Sequence, residues 1–505
     1  MSVLKNNILA NFGGSLWTGL MNLVFIPLYI HFLGIEAYGL IGIFATLLAL
    51  FALFDMGLSS SLNRELARLA IQEDKAQEMS DLVRTLEIPY WLAGLLIGVI
   101  VIMLSPFIAY HWVNAENLSP QTVQTAIMLM GLVVAFQWSI CFYSCGLMGL
   151  ERQVLLNGIN VMMYTFRGLG AVLILWLVSP TVEAFFSWQI FVSFVHVSAI
   201  AIFLWRSLPH APVPPRFRRS LLLNIWRFAA SMTGINALRT VLTQLDKVIL
   251  SRMLSLELFG YYALASVVAM NLYRFISPVF LATWPRLTNL VELGATTELT
   301  SLYHKSAQLV SVFVLPAALV VAFFSEEILL LWTQNPVTAG HAHVLVSILV
   351  IGTAFNGLMN IPFALQLAFG WTRLAFLADV VSVLLLVPLI IMLTKWYGAL
   401  GAASAWVILN VGYIFSSIPI MHRRLLPTEK WRWYYEDVGR PLLAALVVAV
   451  IGRLVIKSDW SPSLLIVSLG LVSGGSLLAS ACAANQIDVV PRIKLFLSTI
   501  RLHLS

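Results

Sequence analysis

Shifted by 221 residues, the chain falls on its own punctuation. Leu33, Glu36, Gly39 and Ala45 of LGIEAYGLIGIFA meet Leu254, Glu257, Gly260 and Ser266 of LSLELFGYYALAS. The same shift carries Gly13 to Gly234, Gly149 to Gly370 and Arg152 to Arg373, and after a slip of three residues Trp188 meets Trp406. Such a duplication limits the fold to two similar bundles on one plan, with whatever is handled held between them. The bundles must be helical and embedded in a membrane. Hydrophobic residues make up 60% of the 505 and charged residues 10%, too little charge for a soluble surface. A barrel would alternate in short pieces instead of staying apolar for twenty residues.

Apolar runs of that length can cross about 30 Å of hydrocarbon. They lie near 8–30, 38–58, 88–110, 123–149, 158–178, 184–205, 228–250, 259–281, 306–324, 343–369, 373–394, 398–420, 439–456 and 462–484, fourteen in all. The first is too long for a signal-peptide core and is read as a span. Lysine and arginine orient the set. Loops on one side hold Arg64, Arg68, Lys75, Arg84, Arg152, Arg206, Arg216, Arg218, Arg219, Arg227, Arg286, Lys305, Arg373, Arg423, Arg424, Lys430, Arg432 and Arg440. The termini add Lys5, Arg492, Lys494 and Arg501, while the opposite loops hold only Arg252, Lys395, Arg453 and Lys457. Basic loops mark the cytoplasm, so both termini are expected there. The net charge of +7 therefore reflects topology, not nucleic-acid binding.

Six spans per repeat is an even number, so both repeats enter the membrane in the same direction and are related about its normal. The expected organisation is an N-lobe at 1–207, a proline- and arginine-rich cytoplasmic linker at 208–227, a C-lobe at 228–422, and two added spans with a cytoplasmic tail at 423–505. Residues 59–87 read as one amphipathic cytoplasmic helix. Cys141, Cys145 and Cys482 lie in apolar runs and are expected to be small buried thiols.

Ionisable groups inside hydrocarbon are costly, which makes each a functional candidate. They are Arg167, Arg239, Asp246, Lys247, Arg274 and Asp379, with His196 expected to be a packing histidine and Asp55 a boundary residue. Asn236, Arg239, Thr243 and the Asp246/Lys247 pair fall on one helical face. The repeat maps this face onto Ser15, Thr18 and Asn22, which Asn11 extends. Lipid can face neither stripe, so a water-accessible cavity between lobes is expected. Four cations against two anions suit an anionic substrate, and the arginine fork suits phosphate oxygens. Counted from the cytoplasmic boundary, Arg239 lies ~16 Å deep, Arg167 ~13 Å and Arg274 ~10 Å. Asp379, at ~9 Å, is a candidate partner of Arg274 or a coupling site, and Asp246 a candidate gate.

Two segments carry a family resemblance. DMGLSSSLNRELARL at 55–69 and QLDKVILSRMLSLELFGYYALAS at 244–266 resemble the polysaccharide exporters, which include flippases of O-antigen and other lipid-linked oligosaccharides, within the superfamily of multidrug and lipid II exporters. The arginines associated with lipid II flippases are missing from spans 1 and 2. The resemblance implies a bacterial inner-membrane flippase moving an undecaprenyl-pyrophosphate-linked glycan outward by alternating access. It implies no cofactor beyond H⁺ or Na⁺ coupling, and as partners the lipid-linked substrate, the membrane and polysaccharide polymerase with chain-length machinery. One alternative is a cation-coupled multidrug exporter, whose cavity should be acidic. Another is a membrane glycan polymerase or glycosyltransferase, for which the chain lacks an Asp-x-Asp motif and long outside loops. A third is a non-transporting scaffold.

Overall fold

A computed structural model describes residues 2–485 except Glu73, Ser458 and Asp459; within its helices, the side chains of residues 2–6, 8, 224–237 and 239 are not among those described. The expectations on Lys5, Arg227, Asn236, Arg239, Arg492, Lys494 and Arg501 therefore lie outside the described residues. The described residues form helices and no strand. Two compact units emerge, Met1–Gly260 and Tyr261–Ser505.

The first unit holds α1 (Ser2–Leu33), α2 (Ile35–Phe51), α3 (Leu58–Ala70), α4 (Ala76–Phe107), α5 (Pro120–Gly149), α6 (Gln153–Leu177), α7 (Val182–Ser207), α8 (Arg219–Met253) and the first turn of α9 (Leu256–Met270). Its hub is α5, packed against α2, α3, α4, α6 and α7. The hub starts where local chemistry dictates: Ser119 Oγ accepts from the Thr122 amide at 3.1 Å and Pro120 occupies the first turn. The amphipathic stretch at 59–87 differs from expectation. It breaks at residues 71–75, and its second part runs on into the span as α4. Leu58, Leu62, Leu66 and Leu69 make the buried face of α3. Asp55 secures the turn before it, accepting from Ser59 N at 3.3 Å, Ser59 Oγ at 2.5 Å and Tyr90 Oη at 2.9 Å.

The duplicated motif explains why α8 belongs to this unit. A Cβ on Gly39 would stand 2.5 Å from the Leu256 carbonyl oxygen, and one on Gly260 would stand 2.3 Å from that of Ile35. Each copy of the motif thus lays its glycine on the backbone of the other. Glu36 completes the corner by accepting from the amides of Glu116 at 2.6 Å and Asn117 at 3.0 Å. The compact grouping consequently ends later than the inter-repeat linker.

The second unit comprises the rest of α9, α10 (Tyr273–Glu292), α11 (Thr296–Phe323), α12 (Ser325–Thr333), α13 (Pro336–Leu358), α14 (Asn360–Ala368), α15 (Thr372–Leu425), α16 (Lys430–Arg432), a π-helix at Trp433–Gly439, α17 (Arg440–Val455) and α18 (Pro462–Ala483). Here α11 is the hub, packed against α10, α13, α14, α17, α18 and the π-helix. Within α15, Gly398 has φ 59° and ψ −141°, a left-handed geometry that divides the 54 residues into two spans. Among the described residues, twelve helices are long and apolar enough to cross a membrane. Counting both halves of α15, and α8 with its 35 residues, gives the expected fourteen or so. One expectation is corrected. Cys141 and Cys482 are exposed on helix faces and Cys145 is half-buried, because the apolar runs that hold them also supply the outward faces of the bundle.

Candidate functional site

In the first unit, α6 carries an intramembrane cation, Arg167. The helix buries its Ile159, Met163, Gly170 and Ala171, and the guanidinium is held half-buried. Its Nη2 donates to Ser193 Oγ at 3.3 Å, and its Cζ lies 5.7 Å from the centre of the Tyr164 ring. Trp188 Nε1 donates to its carbonyl at 3.1 Å, and Ser193 Oγ also accepts from Gln137 Nε2 at 3.4 Å. Beside this cluster, buried His196 pairs through Nε2 with Asn160 Oδ1 at 3.1 Å. Among the described residues no carboxylate comes within ion-pairing distance of Arg167. An arginine at the centre of a membrane helix costs about 2.5–3.5 kcal/mol on insertion scales. Water or an anion at the guanidinium would offset that cost.

The α1 stripe lies on an open face. Asn11, Ser15 and Asn22 are exposed and Thr18 is half-buried. Thr18 Oγ1 donates to the Ser15 carbonyl at 3.1 Å, and Asn157 Nδ2 on α6 donates to Asn11 Oδ1 at 2.6 Å. On α8, Thr243 Oγ1 donates to the Thr240 carbonyl at 3.1 Å. Lys247 Nζ donates to the Thr243 carbonyl at 3.0 Å and stands 3.5 Å from Asp246 Oδ1, with both side chains less than a fifth exposed. The Lys247 stem also reaches the wall of an apolar cavity of about 270 Å³ formed with Leu47, Leu104, Phe107 and Phe259.

In the second unit, Arg274 is exposed at the start of α10, and its Nε donates to Asn271 Oδ1 at 2.7 Å. Asp379 is buried on the first half of α15 and accepts from Tyr413 Oη, on the second half, at 3.4 Å. A neutral chain links α10, α13 and the second half of α15: Tyr273 Oη donates to Asn356 Oδ1, and Asn356 Nδ2 to Asn410 Oδ1 at 2.6 Å.

These features, long helices around half-open polar faces, have known counterparts. The sequence pattern of the family described as polysaccharide biosynthesis protein matches residues 4–291. The chain belongs to that family. A Shigella flexneri protein carrying the provisional name O-antigen transporter is 22% identical over 407 residues, which cover 80% of this chain and 94% of that one. Among solved structures, a lipid II flippase, MurJ, in an inward closed conformation superposes with a TM-score of 0.64 at 15% identity, covering 94% of this chain and 98% of its own. An inward-facing multidrug resistance transporter of the MATE family gives 0.63 at 14% identity over 82% and 96%. A Pyrococcus furiosus transporter of the same superfamily, whose structure is titled for the reverse polarity of its binding pocket, gives 0.54 at 14% over 86% and 95%. This member of the polysaccharide biosynthesis family thus has the fold of that superfamily.

Other polar groups escaped the sequence reading. Glu87 is buried on α4, accepting from Tyr143 Oη at 2.6 Å and Trp205 Nε1 at 3.2 Å and pairing with Arg84 at 2.8 Å. Taken as part of a cytoplasmic helix, it gave no signal beyond a lone charge at the edge of an apolar run. Asp81, wholly buried, fastens the linker: it accepts from the Arg216 amide and from Gln77 Nε2 at 2.8 and 2.9 Å and pairs with Arg218 at 2.5 Å. His304 sits between two carboxylates, just before the place where hydropathy starts its span.

Proposed function

We propose that the chain is a membrane transporter of the flippase kind, carrying an undecaprenyl-pyrophosphate-linked oligosaccharide from the cytoplasmic to the outer leaflet of a bacterial inner membrane. The observation that carries this reading is Arg167, an intramembrane arginine with a serine and a tyrosine beside it and no carboxylate within reach among the described residues. A cation in that state is completed by an anion that enters and leaves. Pyrophosphate oxygens suit the planar fork of the guanidinium, and the hydroxyl and amide groups of Ser15, Thr18 and Asn22 suit sugar. Arg239 and Arg274 would meet the headgroup at other depths, with Lys247 and Thr243 toward the outer end and Asn236 beside them. The lipid chain stays in the bilayer while the repeats alternate access to the two sides. Asp379, or Asp246 at the outer end, would supply the coupling or gating charge. Both termini face the cytoplasm in this scheme, and a polymerase would receive the glycan outside. The name of the Shigella flexneri relative and the fold shared with a lipid II flippase support the substrate class. A preference for cationic drugs would call for an acidic site.

The test is glycan display on cells whose own transporter is deleted. Arg167→Ala and Arg239→Ala should each abolish display at normal protein level, and the lysine variants should restore it only in part, since an ammonium lacks the two-pronged geometry. Full display with either alanine variant removes that residue from the substrate path. Full display with both sinks the reading.

A further inference from the structure

The second unit buries a histidine between two acids. His304 lies on α11 with no exposed surface; its Nδ1 is 2.5 Å from Asp437 Oδ2 and its Nε2 is 2.9 Å from Glu429 Oε2. Gln308, one turn along, donates from Nε2 to Asp437 Oδ1 at 3.0 Å. Asp437 is itself fully buried and belongs to the π-helix that precedes α17. Widened turns of this type re-aim side chains and recur at functional sites.

Donor chemistry decides what this trio holds. A carboxylate only accepts, so an imidazole bonded to two of them needs hydrogen on both nitrogens. A neutral imidazole has one. The arrangement is complete only with one further proton. The carboxylates lie on opposite ring nitrogens and cannot converge on a single metal ion, and no metal-holding group of acids, histidines and cysteines occurs among the described residues.

The surroundings supply a way in. The Glu429 side chain is 20% exposed, whereas His304 and Asp437 have no exposure. Burial pushes the Glu429 carboxyl up, but hydrogen bonds from Thr428, Arg432 and His304 outweigh it and hold the group below its ordinary value. Arg432 bridges Glu429 and Glu436 at 3.3 Å each. From α15 comes His422, whose Nε2 lies 3.2 Å from Tyr303 Oη and whose Nδ1 meets the Ile418 carbonyl at 3.0 Å. Lys430 lies over the Trp431 ring, and Tyr434 donates to the Ile414 carbonyl at 2.7 Å. Helices packed elsewhere on α11 bring Thr283 of α10, which donates to Ser306 at 3.1 Å, Gln366 buried on α14, and Glu327 buried on α12 and ion-paired with Arg453 of α17, while the buried faces of α13, α17 and α18 carry no ionisable residue.

We propose that His304, Asp437 and Glu429 form a binding site for one exchangeable proton, filled through the partly exposed Glu429, which fastens the chain leaving the second repeat to α11 while the proton is bound. Without it, one imidazole nitrogen turns a lone pair toward a carboxylate, and two acceptors face each other. The segment 429–437 is then held by less. The site goes beyond the transport reading and does not depend on the nature of the cargo.

The experiment is nitrogen-15 NMR of the full-length protein in lipid nanodiscs with its nine histidines labelled. With the proton bound, one ring should carry hydrogen on both nitrogens, and His304→Gln should delete that signal. Glu429→Gln, at the rim and so compatible with the fold, should diminish it and secures the assignment if the first variant fails to fold. Hydrogen exchange is followed in parallel as pH rises. Loss of the signal should coincide with loss of protection at amides 429–437, while the Arg216 and Arg218 amides, bonded to Asp81 and Thr85, stay protected. A bare nitrogen on His304 at every pH at which the wild-type protein stays folded overturns the proton site. Unchanged protection at 429–437 after the signal has gone overturns the fastening.

Discussion

Each repeat ties down the chain that leaves it, and the two do so with different chemistry. The shift of 221 residues lays α4 on α11, so that Asp81, Val83 and Thr85 fall on Leu302, His304 and Ser306. On α4, Gln77, Asp81 and Thr85 hold the exit segment by its backbone, at the amides of Val213, Arg216 and Arg218. The ion pair added there uses Arg218, which stays charged at any physiological pH. On α11 the exit segment is held by side chains, Asp437 and Glu429, through a histidine. Duplication preserved the place of the clasp and not its charge carrier. The intramembrane charges diverge likewise. Arg167 of α6 falls on Pro388, or on Leu385 after the slip, while Asp379 of the matching half of α15 falls on Gly158. At these matching positions the shared scaffold thus presents a cation in one unit and an acid in the other.

The largest effect that would break this comparison is functional. Asp379→Asn is expected to remove the dependence of export on the ion gradient while substrate still binds, measured as glycan flipping in vesicles with and without the gradient. Unchanged dependence would return Asp379 to a structural role beside Tyr413. Next come the clasps. Asp437→Ala takes the shared acceptor from wholly buried His304 and from Gln308 and, with the proposed proton bound, should destabilise the protein by about 3–5 kcal/mol. Asp81→Ala should cost about 1–3 kcal/mol, because the Arg218 side chain is already 49% exposed and can turn to water. Equal losses in detergent-solubilised unfolding would erase the distinction. The smallest effect lies on the acid side. The Glu429 carboxyl is held below its ordinary value, so its contribution is complete above the usual carboxylate range and fades as pH falls through the lowered value. Unfolding midpoints of wild type and Glu429→Gln should therefore differ at neutral pH and converge in acid. A gap that persists in acid would assign the effect to packing.

Much of the architecture was legible because a bilayer reads the chain linearly. About twenty apolar residues make a span wherever they occur, so the span number and the repeat needed no tertiary information. The same reading failed where polar residues border a run. Hydropathy opens the ninth span at residue 306, yet α11 begins at Thr296 and carries His304 into the packed interior. Residues 59–87 read as one helix because the pattern of α3 continues through a turn that only packing reveals. Arg167 was visible as a costly charge, but that no carboxylate among the described residues pairs with it was not.

The sequence by itself determined that this chain is a duplicated, helical, many-times-crossing membrane protein, since those properties follow from residue type and spacing along one dimension. Tertiary structure alone decided which polar groups meet. Asp437 and His304 are 133 positions apart, and Arg216 and Asp81 are 135. No local pattern encodes such a meeting, because it depends on how each helix is rotated about its axis and which neighbour it packs against. The same holds for the two glycines of the repeated motif. The shift of 221 residues paired them as equivalents, and only the fold set each against the backbone of the other's copy.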